Sequence, residues 1–125
     1  MDRWRVTIEG EKATQAPPAQ PSPVVGVWRG SLLVFGSPWN DEYVFQPNNA
    51  FSQQSHWNGQ MTHRTGTYSI MANPQPGTGV IRLNTLQASN GILLQDGLNF
   101  HCQDPNTLML QPLSTGIWTQ FQRAV

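Results

Sequence analysis

Apolar and polar residues alternate with a period of two along most of this chain, in short runs broken by Gly, Pro and Asn. A period of two places successive side chains on opposite faces of a strand, so the pattern predicts β-structure. The first such run is residues 24–35 (VVGVWRGSLLVF), with GSPWN at 36–40 predicted to close it. Residues 41–46 (DEYVFQ) then run into Pro47-Asn48-Asn49, a composition suited to a tight reversal into 50–57 (AFSQQSHW). Asn58-Gly59 is a strong hairpin signal, because both residues tolerate the positive φ angles of a type I′ turn. The return strand is predicted over 61–71, followed by a loop at 73–77 and a strand over 78–86. Asn90-Gly91 leads to 92–102, with Asp96-Gly97 as a bend or break, and strands over 107–111 and 117–124 complete the series.

No window of a dozen residues combines a helical apolar period with freedom from Gly and Pro, of which the chain has eleven and ten. Short connections imply that each strand pairs with the next. A sheet of about eight such strands must split into two layers or curl shut, and closure removes both exposed edges. The expected fold is all-β: an antiparallel up-and-down meander closed into a small eight-stranded barrel.

The start of the chain reads differently. Residues 13–23 (ATQAPPAQPSP) carry four prolines among small and polar residues, which favours an extended linker. Ahead of it Trp4, Val6 and Ile8 alternate with Arg5 and Thr7, either as a tail or as an extra strand that docks on a neighbour. The organisation expected is a flexible arm and Pro-rich linker over 1–23, with one barrel domain over 24–125.

Composition narrows the function. Seven basic residues balance seven acidic ones and only 11% of the chain is charged, so no long-range field draws polyanions and nucleic acid is not expected as a partner. Cys102 is the single cysteine, so no intrachain disulfide can form. The first residues lack the apolar stretch of a secretion signal, and no run approaches the ~18 residues of a membrane helix, so a soluble, cytoplasmic protein is expected.

Gly26-Val27-Trp28 opens the first strand and Phe121-Gln122-Arg123 closes the last. A G-x-W at the head of a β-meander with an arginine at its end resembles the calycin pattern of lipocalins and of the small lipocalin-like domains of bacteria. DEYVFQPNNAF resembles that family's aromatic hairpin, and Gly66-Thr67-Tyr68-Ser69-Ile70 its G-x-Y strand. The resemblance covers residues 24–124 and implies that Arg123 packs over the Trp28 indole to tie first strand to last, a structural closure. The chain is shorter than secreted lipocalins and lacks their disulfide and carboxy-terminal helix. Avidin-like barrels share the architecture, but the chain has no matching set of biotin-contacting residues.

Candidate chemistry is sparse. His56 and His63 flank the Asn58-Gly59 turn, yet zinc usually takes three or four protein ligands and no thiol or carboxylate is near in sequence. His101 alternates with Phe100 and Cys102 and is expected to face out. Cys102 has no cue for a stabilised thiolate, and no serine lies in a G-x-S-x-G elbow. Asp41, Glu42, Asp96 and Asp104 fall at turns, where capping is their ordinary role. No cofactor, metal or catalytic set is expected.

A pocket is the stronger candidate. With Trp28 inward, Gly26, Gly30, Leu32 and Val34 share its face, and the two glycines leave room. Tyr43, Phe45, Gln53, Trp57, His63 and Tyr68 are the expected ligand-binding residues, with Tyr43, Trp57 and His63 at the rim. Such a set can equally fill a solid core. The leading expectation is non-catalytic binding of a small hydrophobic or aromatic molecule. The alternatives are an interaction or homo-oligomeric assembly module, using Trp4, Trp39, Trp118 and residues 1–23, and a cavity-type isomerase or cyclase.

Overall fold

Two-residue turns set the hairpins that begin the barrel. Phe35-Gly36 (φ 50° and 77°) and Asn58-Gly59 (φ 52° and 79°) both take the paired positive φ of a type I′ turn, whose twist matches that of the flanking strands. The computed structural model describes residues 23–124, so the arm at 1–22, including Trp4, lies outside the described residues.

Eight antiparallel strands run up and down: β1 (Gly26–Val34), β2 (Ser37–Phe45), β3 (Ala50–Trp57), β4 (Gln60–Ala72), β5 (Thr78–Ala88), β6 (Gln95–Asp104), β7 (Thr107–Pro112) and β8 (Thr119–Arg123). Each pairs with its sequence neighbour, and β8 pairs with β1 to close the ring. Among the described residues there is no helix, and hence none long and apolar enough to cross a membrane.

Two boundaries differ from expectation. The stretch 36–40 was expected as a turn, but the reversal is already complete at Gly36 and Ser37–Asn40 are strand. Pro38 fits there because β3 ends at Trp57, opposite Trp39, leaving β2 an edge beyond that point, where a missing N–H is tolerated. At β6, Ile92, Leu93 and Leu94 precede the strand instead of belonging to it.

The barrel has a closed end and a mouth. At the closed end Val24 tucks under the ring, fully buried, and its carbonyl accepts the Trp28 indole N–H at 2.8 Å. Above it lie Phe45, Phe51, Tyr68, Ile81, Leu83, Phe100 and Leu108. The Tyr68 ring meets Phe45 edge-on at 5.0 Å, and its hydroxyl donates to the Gln46 carbonyl at 2.7 Å.

The glycines expected to leave interior room do the opposite. The Phe121 ring lies over Gly30, its strand partner, so closely that a Cβ there would sit 2.9 Å from the ring and 2.7 Å from the Gln120 carbonyl. At Gly26 the Arg123 guanidinium takes the space. Glycine here admits a large neighbour from the last strand, and the open volume lies nearer the mouth.

Candidate functional site

A row of inward residues crosses three adjacent strands: Tyr43 on β2 pairs with Gln53 on β3, which pairs with Arg64 on β4. One step toward the mouth, Asp41 pairs with Ser55. From the far wall Asp96 on β6 reaches Arg64 as a two-pronged ion pair, with Nη1 to Oδ1 at 2.8 Å and Nη2 to Oδ2 at 3.2 Å. Arg64 Nη1 also donates to Thr85 Oγ1 at 3.1 Å and Nε to Gln53 Oε1 at 2.5 Å, while the guanidinium stands 5.5 Å from the Phe51 ring centre. Gln53 Nε2 donates to Asp41 Oδ1 at 3.4 Å, and the Ser55 hydroxyl donates to the same oxygen.

This network makes the floor of a cavity of about 410 Å³. Its walls are Leu32, Val34, Leu98, Leu110, Ile117 and Phe121, with Trp39 toward the mouth. The loop from Leu113 to Trp118 supplies Ser114 and Thr115 to one side of the opening. That loop is pinned by Gln111 Nε2 donating to the Gly116 carbonyl at 2.9 Å. Small-molecule sites commonly measure ~300–1,000 Å³ and combine apolar walls with a few converging polar groups. A wider depression of about 620 Å³ crosses the outer face of β4, β5 and β6, among Thr67, Ser69, Arg82 and Asn84. It belongs to the solvent side of the wall.

Burial governs the electrostatics. The Tyr43 phenol, 4% exposed, is held far above its usual pKa, first by desolvation and then by the Asp41 charge, with Arg64 pulling the other way. Burial opposes the Arg64 charge, but its surroundings, led by the hydrogen-bonded Asp96 carboxylate, outweigh it and raise its pKa. The floor thus holds a neutral phenol, a guanidinium surrounded by acceptors, and a carboxylate bound on one oxygen.

The residues expected to bind ligand occupy different places. Tyr43 and Gln53 face the cavity, whereas Phe45 and Tyr68 lie below it in the packed core. Trp57 stands at the rim, its Nε1 donating to the Val34 carbonyl at 3.2 Å and its ring 6.0 Å from Trp39. His63 is exposed on the outer wall, because strand alternation turns its neighbour Arg64 inward. His56 and His101 are also exposed. Among the described residues no group of three or more His, Cys, Asp or Glu could hold a metal ion. Trp28 pairs with Arg123 across the seam, and the guanidinium carbon stands 4.3 Å from the indole ring. Cys102 is half-buried, and burial raises its thiol pKa with partial offset from the Arg123 charge.

Three residues of the floor were not read as site residues in the sequence. Asp41 and Asp96 looked like turn caps, yet both lie within strands. Arg64 continues the inward series of Ile70, Tyr68 and Gly66 by one more step of two, and that parity was the available signal. No family model matches the chain, and no curated protein matches it.

Proposed function

We propose that this protein binds one small, largely apolar or aromatic molecule in the barrel without transforming it. The observation that carries the reading is the cavity of about 410 Å³ between the mouth and the aromatic core, walled by aliphatic and aromatic side chains above a hydrogen-bonded polar floor. An eight-stranded barrel has room for packed side chains or for one small ligand. The space over Asp41, Tyr43 and Gln53 favours the second. The indole-guanidinium seam of Trp28 and Arg123, set at the head and tail of an eight-strand meander, supports counting the barrel among the small bacterial lipocalin-like domains.

Calorimetric titration with naphthol, phenethyl alcohol and decanol tests the proposal. Saturable one-to-one binding of at least one probe is expected, and Leu32→Trp, which puts an indole into the cavity, abolishes it. Absence of a saturable response across all three overturns the reading. A second reading, assembly through the mouth, is favoured by the exposed apolar side chains gathered there, such as Ile92, Leu93, Ile117 and Trp118.

A further inference from the structure

Charge is distributed unevenly over the cavity floor. The ionisable groups that line the cavity, apart from the neutral Tyr43 phenol, are Asp41, Arg64 and Asp96. At neutral pH two carboxylates face one guanidinium, a formal excess of one negative charge. The guanidinium is also engaged: Gln53, Thr85 and both Asp96 oxygens accept its N–H groups. An entering anion would have to displace these partners.

Asp41 is the opposite case. Its Oδ1 accepts from Gln53 and Ser55, but among the described residues no donor bonds its Oδ2. It lies one strand step mouthward of Tyr43 and lines the same cavity. Trp39, two residues before it on β2, continues that lining toward the opening. A carboxylate with a vacant oxygen under apolar walls suits a charged N–H donor carried on an apolar body, because such a hydrogen bond is stronger than a neutral one and gains from partial desolvation. An aromatic ring beside the carboxylate adds a face that attracts cations.

We propose that the ligand of this cavity is a hydrophobic amine, its ammonium on Asp41 and its apolar body against Leu32, Val34, Leu110 and Phe121. This rests on the reading of the cavity as a binding site and adds the ligand's charge. Tyr43 and Gln53 hold the floor in place, and Asp96 keeps Arg64 from cancelling the Asp41 field.

Three probes sharing one skeleton test this by calorimetry at low salt: phenethylammonium, phenethyl alcohol and hydrocinnamate. The cation is expected to bind about tenfold tighter than the alcohol, the yield of a charge-assisted bond over a neutral one, and the anion weakest. Added salt should weaken only the cation. In Asp41→Asn, which keeps an acceptor for Gln53 and Ser55, the cation's advantage over the alcohol should disappear while the alcohol binds as before. If the alcohol or the anion binds as tightly as the cation to the unmodified protein, the amine assignment is overturned and the cavity reading stands. If none of the three binds, the amine assignment falls, and the cavity reading falls with it when naphthol and decanol also give no saturable response.

Discussion

Tyr43 and Tyr68 are the chain's only tyrosines, and both are buried. Desolvation raises both phenol pKa values, with the Asp41 charge adding to the effect at Tyr43. The sign of the consequence follows from comparing states. The unfolded chain releases these protons near pH 10, whereas the folded barrel retains them, so the contribution is intact below about pH 10 and is lost as pH rises further. Tyr43 alone would remove about 1.4 kcal/mol per pH unit above that point. The Tyr43 phenolate is therefore expected to appear only as the β-sheet circular dichroism signal collapses, and Tyr43→Phe should flatten the alkaline decline in stability. That phenolate forming near pH 10 in an intact barrel would contradict this.

At the scale of elements, the seam between β1 and β8 carries a disproportionate load. Just three register pairs join these strands, and one of them is Arg123 with Trp28. Arg123 Nη1 donates to the Val25 carbonyl at 2.8 Å and Nε to the Pro105 carbonyl at 2.9 Å, so one side chain also fastens the β6–β7 turn. Arg123→Ala should lower stability by about 2–3 kcal/mol, combining lost charged hydrogen bonds with the cation–π contact. Arg123→Lys should recover less than half, since an ammonium lacks the fork that reaches both carbonyls. Urea midpoints of the three proteins measure this, and an alanine variant within about 0.5 kcal/mol of the parent would refute it.

Strand order was legible because each hairpin is local: alternation marks the strands and residues such as Asn58-Gly59 mark the reversals. The site was legible only in part. Asp96 beside Gly97 carries the local signature of a turn, and its pairing with Arg64, 32 positions away, overrides that signature. Gly30 looked like empty space because the Phe121 ring that fills it arrives from the last strand. His63 looked like a rim residue because it borders a hairpin, but parity turns it outward. Local pattern thus specifies elements, whereas cross-barrel partners decide which residues become floor, wall or plug.

For the whole molecule, the distribution of exposed apolar side chains separates the two ends. Of eleven large ones exposed among the described residues, only Met71 lies toward the closed end; the others surround or approach the mouth. No charged residue occurs in the mouth turns at 35–36, 58–59, 89–94 and 113–118. Clustered apolar exposure of this kind is associated with interaction surfaces. Light scattering over rising protein concentration should show self-association, and Ile92→Ser, Leu93→Ser and Trp118→Ser combined should suppress it. A control lacking residues 1–22 separates this contact from any made by the arm. A parent protein that stays monomeric at every concentration rules the mouth out as an assembly surface.

The Arg123 bond to Val25 joins positions 98 residues apart, so the ring acquires its last stave only when all the other strands are in hand. Contacts of such high order are slow to form, because the intervening loop must be closed before they return any energy. While a ribosome still holds residues 119–123, β1 and β7 are both bare edges open to foreign strands. Mutations that weaken the seam should therefore reduce the yield of correctly folded nascent chains before they visibly affect the finished protein.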